Sequence, residues 1–153
     1  MKILVATDGS PGGREAVKFA ARLLRGLRSG RAHLLVVGTC LRNSILGVSG
    51  VPFPLTALPE MEKEERRRAE RILAAARKIA GRGLRLESRF VAPRDLAPVA
   101  KVIAREARRI GADLVVVGSR GHATLPGLLL GSVALKLLHG CPCPVAVVHP
   151  RKR

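Results

Sequence analysis

The sequence has no tryptophan, no tyrosine and only three phenylalanines in 153 residues. Proteins that read single-stranded nucleic acid by stacking bases need aromatic platforms, and this chain has almost none to offer. Its core must be built from Val, Leu, Ile and Ala. Acidic residues are also scarce: 11 Asp and Glu stand against 28 Lys and Arg, for a net charge of +17. Such a surface points to an anionic partner (nucleotide, nucleic acid or membrane surface) or to a solvated excess of arginine with no partner at all. Three cysteines make no disulfide framework. Cys141 and Cys143 straddle one proline, too close for an ordinary bridge, and no second Cys/His pair is spaced to complete a metal site. They read as buried structural thiols. Asp8 and Gly9 interrupt the first apolar run after six residues, unlike a secretory leader. No apolar stretch nears the ~18 residues of a membrane span. The expectation is a soluble, cytoplasmic protein with no membrane partner.

Two familiar phosphate motifs are missing as well. No glycine is followed by lysine, which rules out G-x-x-x-x-G-K-[ST]. No G-x-G-x-x-G follows the first strand, and the second ends in Gly38-Thr39 rather than in an acid that could hold a ribose. P-loop enzymes and dinucleotide oxidoreductases are disfavoured on both counts.

What is present is a regular alternation. Residues 2–7 read as a strand. Ser10 suits the N-cap and Pro11 the first position of a following helix, with Ala16, Val17, Ala20, Ala21, Leu23, Leu24 and Leu27 at helical spacing. Residues 32–38 are apolar on both faces, as a central parallel strand is. Residues 39–57, with two glycines and two prolines, are irregular; 40–56 reads as either a lid or an interface segment. A helix over 58–80 carries the stripe Ala69, Ile72, Leu73, Ala76, Ile79 and Ala80. Its charged start pairs with itself at i,i+4 through Glu62–Arg66 and Glu64–Arg68, a solvated face.

The second half repeats the pattern. Residues 84–91 alternate apolar with polar, as an edge strand does. Asp95 is a candidate cap for the next helix, Pro98 falls in its first turn, Val99, Val102, Ile103, Ala107 and Ile110 are its core positions, and Gly111 ends it. Residues 112–118 form another two-sided apolar strand. Ser132 to His139 is a short helix ended by Gly140, and residues 144–150 hold the last strand. Length fits one domain over residues 1–153. The βαβαβαβαβ order predicts an α/β fold: a flavodoxin-like (Rossmann-like) five-stranded parallel sheet in the order 3-2-1-4-5, with helices on both faces.

Ligands in such sheets sit beyond the carboxyl ends of the strands, where the order reverses. Strand 1 ends at Asp8, and strand 4 runs into "GSRGHATLPGLLLGS", residues 118–132. Gly118 and Gly121 give a loop that can take positive φ and let a ligand touch main chain. Gly131 and Ser132 open a helix whose free N–H groups suit phosphate, with Ser132 either capping it or offering its hydroxyl. Arg120 lies inside that loop, free to touch a phosphate or face solvent. His122 has no partnered Ser or Cys, and no catalytic residue or metal ligand is assigned. His33, His139 and His149 read as structural or surface residues.

The pattern G-x2-G-x9-G-[ST], met here by Gly118, Gly121, Gly131 and Ser132 with Asp8 after the first strand, resembles the universal stress protein family. "ILVATDGS", "ADLVVVGSRG" and "GSVALKLLHGCPCPVAVV" are similar to that family too, so the resemblance covers the whole chain. It implies the sheet inferred above and membership of the branch that binds ATP. Asp8, with Ala6 and Thr7 before it, would approach adenine and ribose; Val37 would pack on the base, and Val117 and Gly118 would lie along the nucleotide. Gly121, Gly131, Ser132 and Val133 would wrap ribose and phosphates. ATP, taken with Mg2+, is the expected cofactor, and a homodimer through the last strand, Val145 to His149, the expected assembly. Gly12-Gly13 weakens the first turn of its helix, by roughly 1 kcal/mol per glycine. Gly38, where relatives carry a larger residue, implies a loose adenine pocket. The resulting expectation is a nucleotide-dependent switch in stress signalling with at most slow hydrolysis. The alternatives are a nucleic-acid or polyanion binder with a vestigial pocket, and a nucleotide hydrolase.

Overall fold

Strands that alternate their side chains between two covered faces need apolar residues on both, and the central strands supply them. The computed structural model describes residues 1–27, 30–38, 58–93, 97–122 and 130–150. In chain order these form β1 (Lys2–Ala6), α1 (Pro11–Arg25), β2 (Arg31–Val37), α2 (Leu58–Ala80), β3 (Arg85–Val91), α3 (Val99–Ile110), β4 (Leu114–Gly118), α4 (Ser132–Gly140) and β5 (Val145–Val148). The sheet order is β3-β2-β1-β4-β5, and every neighbouring pair is parallel. This is the order expected from the alternation of elements. β3 lies at one edge and shows it, with exposed Arg85, Glu87 and Arg89 alternating with half-buried Leu86, Ser88 and Phe90.

Period-two alternation divides the core into two layers. Ile3, Val5, Leu34, Val36 and Val116 face α1 and α2, where Ala16, Val17, Ala20, Leu24, Ala69 and Leu73 meet them. Leu4, Leu35, Val115 and Val117 face α3 and α4, against Ile103, Ala107, Ala134 and Leu137. The small alanines let the helices sit close to the sheet, so an aliphatic core packs without aromatic bulk.

Local signals explain where α1 starts and where α3 ends. Ser10 is the N-cap of α1, its hydroxyl accepting the Gly13 N–H at 3.1 Å, and Pro11 follows at the first helical position. Gly111, at φ 61°, closes α3 in the left-handed region. The Lys2 ammonium donates to the Ile110 carbonyl at 3.0 Å, placing a cation at the carboxyl end of that helix.

Several expectations need correction. Leu27 is 38% exposed, because α1 stops at Arg25 while the apolar spacing runs past its end. Pro98 is the N-cap residue of α3, not part of its first turn, since its ψ of 144° is still extended; among the described residues no side chain caps this helix. The proposed cap Asp95 lies outside the described residues, as do the irregular stretch 39–57 (with Thr39 and Cys40) and residues 123–129. Val99 is 38% exposed rather than core. On α2, Glu64 pairs with Arg71 at 2.7 Å and Arg67 at 3.9 Å rather than with Arg68. The Arg66 guanidinium lies 5.7 Å from the centroid of the Phe90 ring, not against Glu62. Cys141 and Cys143 are half-buried, not buried. Among the described residues no helix is long and apolar enough to cross a membrane.

Candidate functional site

β1 and β4 are neighbours, with Ala6 opposite Val117, so their carboxyl ends open side by side. The Thr7 N–H extends the pairing with β2, donating to the Leu35 carbonyl at 3.0 Å. The chain then turns at Gly9, whose φ of 80° suits glycine. Asp8 holds this turn: its Oδ1 accepts the Ser10 N–H at 2.9 Å. Its other oxygen crosses to the loop after β4, where Oδ2 accepts the His122 N–H at 3.2 Å. Burial works to raise the Asp8 pKa, but hydrogen bonds from Ser10 and His122, with the His122 ring nearby, outweigh it and hold the carboxyl below its ordinary value.

The glycines serve a purpose that spacing alone does not show. Among the described residues, positive φ occurs at Gly9, Gly81, Gly83 and Gly111, so neither Gly118 nor Gly121 uses it, and Gly131 has φ −74°. What they provide is room. A Cβ on Gly118 would lie 2.5 Å from the Gly12 carbonyl carbon and 2.8 Å from the Gly13 nitrogen. A Cβ on Gly12 would lie 2.6 Å from the Arg120 oxygen, one on Gly13 2.6 Å from Thr7 Oγ1, and one on Gly121 2.7 Å from Asp8 Oδ2. The first turn of α1 therefore docks directly on the loop after β4. Gly12-Gly13 is the contact surface that makes this docking possible, at the cost of helix propensity. Gly38 behaves likewise: a side chain there would strike the Phe90 ring at 2.8 Å, so its small size accommodates Phe90 instead of loosening an adenine pocket.

Above the strand ends lies a cavity of about 500 Å³. The structure brings all the sequence-predicted site residues to its wall: Ala6, Thr7, Asp8, Val37, Val117, Gly118, Arg120, Gly121, Gly131, Ser132 and Val133. Ser10, Gly13, Leu35, Arg68, Val99, Ile103, Ser119, His122 and Ala134 join them. Some of these were within reach of sequence reasoning. Leu35 is two residues before Val37 on the same face of β2, and Ser119 and His122 lie inside the glycine-rich stretch. Val99 and Ile103 share one face of α3 at i,i+4, but that spacing marks a core just as well. Arg68 carried no signal; its charged helix face reads as solvated.

One end of the cavity is apolar and the other polar. Leu35, Val37, Val99, Ile103 and Val117 supply the apolar wall. The polar end is the start of α4. Gly131, extended, is its N-cap, and among the described residues no side chain caps it; Ser132 is the first helical residue with its side chain exposed, not a cap. The amides of Ser132, Val133 and Ala134 have no acceptor within the helix and border the cavity. The Gly131 N–H donates to the Ser119 carbonyl at 2.7 Å, and the Ser119 N–H to the Val148 carbonyl at 2.8 Å, fixing the helix start to the sheet. Ser119 is fully buried in this wall, and among the described residues its hydroxyl has no hydrogen-bond partner. Among the described residues no group of three His, Cys, Asp or Glu is placed to hold a metal ion.

The universal stress protein family pattern matches residues 1–149. The chain is 31% identical to universal stress protein YxiE of Bacillus subtilis (strain 168), over 97% of this chain and 98% of that one. It is 32% identical to a universal stress protein of Thermus aquaticus, over 96% of this chain and 97% of that one. Among solved structures, the universal stress protein UspA from Lactobacillus plantarum superposes with a TM-score of 0.78 at 18% identity, over 97% of each chain. A universal stress protein in complex with cAMP gives 0.62 at 24% identity, over 99% of this chain and 98% of that one. The universal stress protein from Archaeoglobus fulgidus in complex with dAMP gives 0.65 at 22% identity, over 97% of each chain. With a family match over nearly its full length and relatives above 30% identity that it covers end to end, this chain belongs to the universal stress protein family.

Proposed function

We propose that this protein is a cytoplasmic ATP-binding switch of the stress response. The observation that carries the reading is the uncapped start of α4 opening on a cavity of about 500 Å³ whose far wall is apolar. A helix N-terminus with free amides suits phosphate, and an aliphatic slot suits a purine. That relatives of the same fold are in complex with cAMP and dAMP supports an adenine nucleotide as the ligand. The orphaned Ser119 hydroxyl supports it further, since a buried donor without a partner is costly unless something supplies one. In this reading Ser132, Val133 and Ala134 direct amides at the phosphates. Val37 and Val117 flank the base, and Arg68 and Arg120 add positive charge at the rim.

Turnover is at most slow in this proposal. Asp8 is the only carboxylate lining the cavity among the described residues, and both its oxygens already accept main-chain N–H groups. It is a brace more than a general base. Mg2+ enters as the counter-ion of the triphosphate. The homodimer belongs to the same proposal. β5 is an edge strand with half-buried Val145, Ala146, Val147 and Val148, and α4 beside it exposes Leu135 and Leu138 at 48% and 51%.

Ser132→Asp tests the nucleotide site without risking the fold. A carboxylate in the first turn of α4 favours the helix by about 0.3–1 kcal/mol through its dipole. It also places negative charge where phosphate belongs, and two unit charges at 4 Å repel by several kcal/mol at an intermediate dielectric. The variant should melt at or above the wild-type temperature yet bind Mg2+–ATP about a hundredfold more weakly by calorimetry. Undiminished affinity in a folded Ser132→Asp protein would remove the proposed site.

A further inference from the structure

Cys141 and Cys143 belong to no part of the nucleotide cavity, and their arrangement has a chemistry of its own. Their sulfurs are 4.0 Å apart. Main-chain hydrogen bonds on either side of Pro142 hold the backbone that carries them. The Cys141 N–H donates to the Leu137 carbonyl at 2.9 Å, at the end of α4. Immediately after Cys143, the Pro144 carbonyl accepts the Val115 N–H at 2.9 Å, where β5 begins to pair with β4. Pro142 restricts the single residue between them. Both side chains pack against the apolar layer under α3 and α4 and both remain half-exposed. One side of the pair is therefore held by the fold and the other is open to solvent.

Two sulfurs at this distance fit one outcome better than the other. A disulfide needs them at about 2.0 Å, with a defined dihedral, so both side chains would have to turn to form one. A single metal ion needs only that both sulfurs lie within bonding range. Metal–thiolate bonds of about 2.3 Å span up to about 4.6 Å between two sulfurs, and about 3.8 Å at a tetrahedral angle. The observed separation falls inside that window. Among the described residues no third His, Cys, Asp or Glu completes a cage. A zinc site of four ligands is not what this geometry offers, whereas soft ions that accept two thiolates are suited to it.

We propose that Cys141-Pro142-Cys143 is a two-coordinate thiolate site for a soft, thiophilic cation of the copper(I) class. Binding forms two metal–sulfur bonds and releases the thiol protons to solvent; no electron is transferred. The site lies at the end of α4 away from its nucleotide-facing start, so the proposal stands independently of nucleotide binding.

The test is titration of the full chain with copper(I), supplied under argon from a colorimetric chelator complex that reports free metal. One ion per chain is expected. Cys141→Ser and Cys143→Ser should each weaken binding by at least a hundredfold, while Cys40→Ser leaves it unchanged. X-ray absorption at the copper edge should show two sulfur neighbours, a readout that a misfolded variant cannot imitate in the wild type. Retention of full affinity in Cys141→Ser, loss of it in Cys40→Ser, or a shell of nitrogen and oxygen alone would each overturn the assignment.

Discussion

Gly118→Ala is expected to destabilise the protein by about 3 kcal/mol, at the upper end of what an added methyl costs a well-packed interior. The new carbon would lie 2.5 Å from the carbonyl carbon of Gly12 and 2.8 Å from the nitrogen of Gly13. Both obstacles are main chain, so no rotamer change relieves them. The first turn of α1 must lift away from the loop after β4. That movement pulls on the Ser10 cap and on the Asp8 brace together, because both elements are anchored there. At this chain length 1 kcal/mol shifts the melting temperature by roughly 2–4 °C, so a drop of about 10 °C is expected by differential scanning calorimetry. Gly140→Ala is the matched control. A Cβ there meets nothing within 4 Å, and Gly140 is the last residue of α4. The same chemical change should be neutral or stabilising by up to about 1 kcal/mol. If the two variants melt alike, the close docking of α1 on β4 is wrong.

The Gly118 result bears on how far the sequence could be read. The sheet was legible because its two-sided apolar strands, 32–38 and 112–118, cannot be surface strands, and because each is separated from the next by a helical period. The cavity wall was legible because one stretch, residues 118–132, concentrated four glycines and two serines, and an Asp stands at the end of the first strand. What the sequence could not reveal was why glycine stands at each of those positions. Positive φ and close approach call for the same residue, and only coordinates distinguish them. At Gly118 and Gly121 the neighbour is the protein's own chain, Gly12-Gly13 and Asp8 respectively. Gly118 and the Gly12-Gly13 pair, far apart in sequence, thus describe one contact, which appears as a defect of helix propensity when α1 is considered alone. Arg68 was hidden for a different reason. A charged residue on a charged helix face carries no mark of the cavity that one turn of the helix faces, and that depends on how α2 lies against β2, β3 and α1. Leu27 and Val99 mislead in the opposite sense, being apolar at helical spacing but positioned where a helix has ended or a cavity opens.

Asp8→Ala should lower stability by about 2–4 kcal/mol near neutral pH, through the loss of two charge-assisted hydrogen bonds and the stranding of their donors. The donors are the Ser10 N–H at 2.9 Å, within the turn, and the His122 N–H at 3.2 Å, across the cavity mouth. Asp8→Asn should fall between alanine and wild type. Its one carbonyl oxygen can accept from one amide, while its NH2 group confronts the other N–H with a second donor. The pH dependence follows from the direction of the Asp8 shift. The folded-state pKa lies below the ordinary value, so the unfolded chain binds the extra proton first as pH falls. The carboxylate's contribution is then fully present above the unfolded pKa, about 3.9, and disappears as pH drops through the folded value. Urea unfolding of wild type and Asp8→Asn at pH 7, 5, 4 and 3 should show curves that are well separated at pH 7 and 5 and converge below pH 4. A separation that stays constant to pH 3, or widens toward acid, would mean that Asp8 is not the ionised brace between the two strand ends. Because that brace fixes the mouth of the cavity, the same variant should also loosen Mg2+–ATP binding at pH 7, and by less than Ser132→Asp does. Asp8 shapes the site, whereas Ser132 lies where the phosphate would be.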